Sequence, residues 1–351
     1  MELFRLLRFL GENKPHQRAV FGFDAFIDQI SRRVSGLGDG CMESITDFGQ
    51  RLISRDGKSG AVFLEEMEES IGGNAPNTAM TLSTLGGDVT CICALGYPRI
   101  KDTFLPMQSS CRLISYADPG TCLALELGQN KLFIGHNGEM SDISWEDLSN
   151  WVGRERLLAE YRRADLIGLF NWGELGATQR IWEGLLQDVF PHLSGTERKL
   201  FFDFSDISAR KREEIALLKD TLHRFRAYGR VYVSVNQLEE QLLQAGEWVE
   251  KGIADVVIIH GKQCSRMIAD GAAHTLPTRY QASPKRVTGG GDSFNAGFCF
   301  GLLCGLPEEN CLMIGNAAAN CLIRTGRAPD KTELCLELER SCPLWECEEN
   351  A

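Results

Sequence analysis

Short apolar runs alternate with helical patterns along most of this chain, and that alternation restricts the fold more than any other feature. Runs with strand character lie at residues 19–23, 89–95, 166–170, 200–204, 231–235 and 256–259. Between them, residues 178–189, 211–225 and 237–248 place apolar positions at helical spacing. This succession predicts an α/β chain with a mainly parallel sheet between two layers of helices. Ligands of such sheets bind outside the carboxyl ends of the strands. Two regions break the rhythm. Residues 31–63 include a glycine-rich patch at 35–40, and residues 112–135 read as short strands at 112–116, 121–127 and 131–134. Strands without helices between them predict a small sheet outside the main one.

Two glycine-rich turns stand at helix starts, one near each end of the chain. Residues 288–298 read Thr-Gly-Gly-Gly-Asp-Ser-Phe-Asn-Ala-Gly-Phe. Backbone this bare can approach a ligand closely. Its amides, followed by a helix N-terminus, favour bound or developing negative charge. Asp292 lies in the same turn, placed to accept a proton. An anion cradle beside a base is what phosphoryl transfer to a hydroxyl requires. The upstream turn, Gly72, Gly73, Asn74, Ala75, Pro76 and Asn77, also opens a helical run. Taken alone, the 288–298 segment is equally well a glycine-rich turn with Asp292 as an N-cap.

Together the two turns resemble the signatures of the PfkB, or ribokinase-like, family of carbohydrate and nucleoside kinases. The first signature, Gly-Gly-x-x-x-Asn, is met by Gly72, Gly73 and Asn77. The second, Asp-x-Thr-Gly-Ala-Gly-Asp-x-Phe-x-Ala-Gly, is met by Thr288, Gly289, Gly291, Asp292, Phe294, Ala296 and Gly297, with Gly290 in place of Ala. The resemblance spans residues 17–330 and implies a ribokinase-like three-layer fold with a small β lid. It assigns residues 1–30, 64–111 and 136–330 to the kinase core, 31–63 and 112–135 to the lid, and 331–351 to a tail. It implies an ATP- and Mg²⁺-dependent kinase with a sugar or sugar acid as acceptor, and a homodimer formed through the lid.

On this resemblance Asp292 is the general base, and Gly289, Gly290 and Gly291 form the anion hole. Asp24 and Asp28 both stand where the family binds sugar hydroxyls, and Asp28 precedes the lid. Gly72, Gly73, Asn74 and Asn77 are the next substrate contacts. Asn236 and Glu239 occupy the family's Asn-x-x-Glu position, with Glu239 acting on Mg²⁺ through water; alone, the pair reads as a helix cap with a first-turn acid. Gly261, Thr288 and Asn316 complete the nucleotide side. His260 is a nucleotide-pocket residue or an ordinary strand-end histidine, and Trp172 is a cleft or a core residue. One departure is plain: Arg286 replaces the first Asp of the second signature, which in the family helps bind a monovalent cation. A guanidinium cannot ligate a cation. A nucleoside kinase and a non-catalytic sugar- or nucleotide-binding regulator are the competing readings.

Composition excludes other classes. A net charge of -11 argues against a general nucleic-acid surface. No apolar run is long enough to span a bilayer, and Arg5 and Arg8 interrupt the first ten residues, which read as an amphipathic helix. The 13 cysteines are scattered without zinc spacing, as expected of reduced thiols in a cytoplasmic enzyme.

Overall fold

The computed structural model describes residues 3–36, 40–128 and 130–346. Residues 37–39 of the glycine-rich patch, residue 129 between the expected strands at 121–127 and 131–134, and Cys347 of the tail lie outside them. Among the described residues the strands are β1 (Arg18–Gly22), β2 (Phe26–Gly36), β3 (Val62–Gly72), β4 (Asp88–Cys93), β5 (Cys111–Ser115), β6 (Gly120–Leu127), β7 (Asn130–His136), β8 (Leu166–Phe170), β9 (Arg198–Asp203), β10 (Gly229–Asn236), β11 (Val256–His260), β12 (Cys264–Ala269) and β13 (Ala272–Pro277).

Nine of these form the main sheet, in the order β13-β12-β11-β10-β9-β8-β1-β4-β5. From β11 to β5 every neighbouring pair is parallel; β12 and β13 add an antiparallel edge. The parallel strands read as unbroken apolar runs because both of their faces are covered. In β8, Leu166 and Phe170 face one core while Ile167 and Leu169 face the other. β1 divides likewise, with Ala19 and Phe21 on one side and Val20 on the other. The helices Asn74–Thr84, Gly290–Leu303 and Glu308–Thr325 cover the first face. The helices Trp145–Val152, Thr178–Asp188 and Arg212–Phe225 cover the second. No helix of the described residues is long and apolar enough to cross a membrane.

The second sheet has four strands in the order β3-β2-β6-β7. Val34, Met42, Phe48, Leu125 and Leu127 fill its small core, under the Ile45–Ile53 helix that Ser44 caps through the Asp47 amide. Its make-up corrects the expected lid. Residues 26–30 and 64–72 belong to this sheet, not to the main one, because β2 and β3 pair along their full lengths. Residues 112–115 belong to β5 in the main sheet, where Ile114 and Cys111 point into opposite cores. A buried parallel edge strand and a lid strand carry the same short apolar pattern, so sequence alone does not separate them. The expected tail is largely helix: Lys331–Glu346 buries Leu334, Leu338 and Trp345 against the core.

Candidate active site

A cavity of about 730 Å³ opens where the carboxyl ends of β8, β9, β10 and β11 face the four-stranded sheet. The two glycine turns meet on its wall. Asn74 Nδ2 donates to Asp292 Oδ1 at 3.2 Å, and Asn77 also hydrogen-bonds the Asp292 side chain. The Asn74–Thr84 helix is packed along the Gly290–Leu303 helix, so helices starting far apart in sequence present adjacent first turns.

The glycines of the first turn have distinct reasons to be glycine. A Cβ on Gly72 would lie 2.1 Å from Asp28 Oδ1, so the bare backbone makes room for that carboxylate. Gly73 has a φ of 93°, and a Cβ there would lie 2.9 Å from Asp24 Oδ2. Asp24 accepts from the Asn74 amide at 2.7 Å and the Ala75 amide at 3.0 Å, and from Asn171 Nδ2 at 3.1 Å. It is fully buried and its carboxylate is committed to the start of the helix. Of the two aspartates left open by the sequence, Asp28 lines the cavity and Asp24 does not.

In the second turn Gly289 has a φ of 82°, and the Gly290–Leu303 helix starts directly after it. The first-turn amides of a helix have no intrahelical acceptors, so this turn offers donors to an anion. Burial raises the Asp292 carboxyl well above its ordinary value, and the charges of Asp203 and Asp24 push it the same way. A raised carboxyl is a stronger base, which suits proton removal near neutral pH.

Asp203 ends β9 and is the second acid at the centre. It accepts from Asn295 Nδ2 at 2.6 Å, the Ser205 amide at 2.9 Å and Asn74 Nδ2 at 3.4 Å. Burial still lifts it to about 6. Burial likewise brings Asp28 to about 6, against the opposing charge of Arg286. Asn236 is at once the end of β10 and the N-cap of the Gln237–Leu243 helix. Its side-chain oxygen accepts from the Leu238 and Glu239 amides, and Glu239 Oε2 accepts from the Asn236 amide at 2.9 Å. The capping reading therefore holds, and both residues also line the cavity. Burial, then the charge of Asp203, raises Glu239 to about 8.

The structure thus brings Asp28, Gly73, Asn74, Asn77, Asn236, Glu239, Thr288, Gly289, Gly290, Gly291 and Asp292 to one cavity. It does not bring Asp24, Gly72, Gly261 or Asn316 there. Asn316 is buried and donates to Ser265 Oγ at 2.8 Å, tying its helix to β12. A Cβ on Gly261 would meet Gln237 Nε2 at 2.7 Å. His260 lines the cavity against Phe294; burial lowers it to about 4, so it is neutral at pH 7. Trp172 is buried core, with Arg210 over its ring.

Sequence reasoning did not single out Lys131, Asn137, Asn171, Glu174, Asp203 or Asp206 as site residues, and all six line the cavity. Asn171 and Ser205 follow β8 and β9 with φ values of 56° and 59°. Such left-handed backbone at strand ends is the one local signal they carry, and dihedrals are not visible in a sequence.

Fold and site together define a phosphotransferase of the PfkB, ribokinase-like class. The chain belongs to the prokaryotic ketohexokinase family, whose family model matches residues 5–340. A ketohexokinase of Haloferax volcanii is 25% identical over 345 residues, covering 93% of this chain and 92% of that protein. Among solved structures, a probable sugar kinase of Rhizobium etli superposes with a TM-score of 0.67 at 16% identity, covering 94% of this chain and 99% of that one. An adenosine kinase of Sinorhizobium meliloti gives 0.66 at 17% identity, covering 93% and 99%. At those identities the two structures speak for the fold alone.

Proposed function

We propose that this enzyme transfers the γ-phosphoryl group of ATP to a hydroxyl of a sugar, with a ketohexose as the preferred acceptor. The observation that carries the reading is Asp292, buried at the start of a helix with a glycine turn, facing a wall of Asp28, Asn74, Asn77, Asn137, Asn171 and Glu174. Carboxylates and amides in that number match a polyol, whose every hydroxyl both donates and accepts. The ketohexokinase relative supports the choice among sugars.

In the proposed reaction Asp292 takes the acceptor hydroxyl proton. The oxygen lone pair forms the new bond to the γ-phosphorus. The bond to the bridging oxygen breaks, and its electrons leave with ADP. The Gly289–Gly291 amides stabilise charge on the phosphoryl oxygens. Asn74 and Asn77 hold the Asp292 carboxylate in place. Asn236, Glu239 and Asp206 would hold Mg²⁺ through water, and the ion would supply charge neutralisation on the phosphates. Thr288 and His260 serve the nucleotide side. Exposed Phe63, Met67 and Ile134 on the four-stranded sheet support pairing with a second copy of the chain, which light scattering would test.

One observation favours a second reading. Phe26, Cys122 and Phe133 give the cavity an apolar patch against which a nucleobase would pack. A coupled ADP-release assay with Mg-ATP, run over fructose, other sugars, sugar acids and nucleosides, separates the two. Turnover with fructose is expected, and Asp292→Asn should lower it by about 100-fold or more while leaving acceptor binding intact. Turnover confined to nucleosides would replace the sugar reading. Near-normal turnover in Asp292→Asn would remove Asp292 from the base role.

A further inference from the structure

Among the described residues lining the cavity, six are carboxylates: Asp28, Glu174, Asp203, Asp206, Glu239 and Asp292. Lys131 is the one cation. It does not come from the kinase core. It opens the body of β7, opposite Glu126 on β6, in the four-stranded sheet. From there it crosses to the second glycine turn and donates to Thr288 Oγ1. Its side chain is only 16% exposed.

An ammonium group has three protons. Thr288 takes one. Glu126 Oε1 lies 3.7 Å away, beyond a hydrogen bond, and that carboxylate is shared with Arg32 at 3.5 Å. Lys131 therefore holds donors to spare beside a helix start whose first-turn amides have no intrahelical acceptors. Arg286 flanks the same point, its Nε donating to the Thr288 carbonyl at 3.1 Å. Two cations on one threonine, beside six acids, leave a polyphosphate a single favourable place for its terminal group.

We propose that Lys131 is the lid's contact to the γ-phosphoryl oxygens of the nucleotide, so that its share of the charge neutralisation is present only while the four-stranded sheet covers the acceptor. The identity of that anion rests on the kinase reading above. Because the cation rides on the sheet and the base on the core, an open lid leaves the terminal phosphate without this partner. Transfer to water is thereby disfavoured relative to transfer to the sugar.

The test compares calorimetric affinities for Mg-adenylyl imidodiphosphate and Mg-ADP, with fructose present, in the wild-type enzyme, Lys131→Met and Lys131→Arg. Lys131→Met should weaken the triphosphate analogue by about 10-fold or more and leave ADP within about twofold, as loss of one charge-assisted contact implies. Lys131→Arg should recover most of the loss. Equal affinities for the analogue in wild type and Lys131→Met, or equal weakening of both nucleotides, overturns the proposal and reduces Lys131 to a tether for Thr288. A second readout needs no variant: acetylation of Lys131 by acetic anhydride, followed by mass spectrometry, should be suppressed by the analogue and not by ADP. Equal labelling in both states counts against the contact. A wild-type enzyme that binds neither nucleotide and phosphorylates no sugar overturns the kinase reading and this inference together. One that turns over normally with Lys131 indifferent to the γ-phosphate overturns this inference alone.

Discussion

Asn74 and Asp292 are 218 residues apart in the chain, and the Asn74 amide donates to the Asp292 carboxylate across 3.2 Å. The same amide nitrogen lies 3.4 Å from Asp203 Oδ1. One neutral donor thus bridges two buried acids whose charges oppose each other's ionisation. Replacing it by Asn74→Asp adds a third charge to the pair. Asp292 must be ionised to act as a base, so activity rises with pH through its pKa. A new neighbouring carboxylate opposes that ionisation and moves the acid limb of the kcat profile to higher pH. We expect a shift of about one pH unit or more, with partial recovery of turnover on the alkaline side. An unmoved limb would show that Asp292 does not set it.

Gly72 touches no part of the cavity, yet it should matter to the acceptor. A Cβ there would stand 2.1 Å from Asp28 Oδ1 and 2.4 Å from its Cγ. Gly72→Ala must rotate that carboxylate away from the acceptor. Acceptor KM should rise by about 10-fold or more, while the affinity for Mg-ADP stays near normal. Weakened ADP binding of the same size would mean that the change disrupts the fold and not Asp28.

Arg286 stands where the resembling kinases carry a cation-binding acid, and its Nε already meets the Thr288 carbonyl at 3.1 Å. The residues here do not fit a monovalent cation beside this turn. Turnover should therefore be the same with K⁺ as with a bulky organic cation at equal ionic strength. Steep activation by K⁺ would contradict the assignment. Arg286→Ala should lower kcat by about 10-fold, as expected from losing one fixed charge beside the phosphoryl group.

The pile of buried acids carries a stability cost with a definite pH dependence. Burial raises Glu239 from 4.5 to about 8, and Asp28 and Asp203 from 3.8 to about 6. A carboxyl raised on folding holds its proton more tightly in the folded chain. Its stabilising contribution is full below the unfolded value and is lost as pH climbs through the folded one. For Glu239 that window runs from 4.5 to about 8. Melting temperature should thus fall between pH 6 and pH 8. Glu239→Gln keeps an acceptor for the Asn236 amide but has no charge to bury. It should flatten the decline and raise the pH 8 melting temperature by on the order of 2 °C. Parallel slopes for the two proteins would contradict the Glu239 assignment.

The parts of this molecule that sequence reading recovered are those with local signatures. The runs at 19–23 and 166–170 are apolar at every position because both faces of those strands are buried, which a sequence displays directly. The turns at 72–77 and 288–292 declare themselves because close backbone approach demands glycine. Asn77 and Asp292 were legible as members of those motifs, and Asp28 as one of two aspartates, with Asp24, that the resemblance put forward. Residues 112–115 were misplaced because an edge strand of either sheet carries the same four-residue pattern.

The local chemistry along the chain determined the alternating architecture, the two anion-favouring turns and the acid beside one of them. Only the tertiary structure decided which acids face the cavity. Asp24 and Asp28 are four residues apart and chemically identical, yet one caps a helix and the other lines the site, because Gly73 and Gly72 pack against them differently. Only the tertiary structure brings Lys131 to Thr288, 157 residues away. A contact of that range is set by how two sheets pack, and no spacing along the chain encodes it.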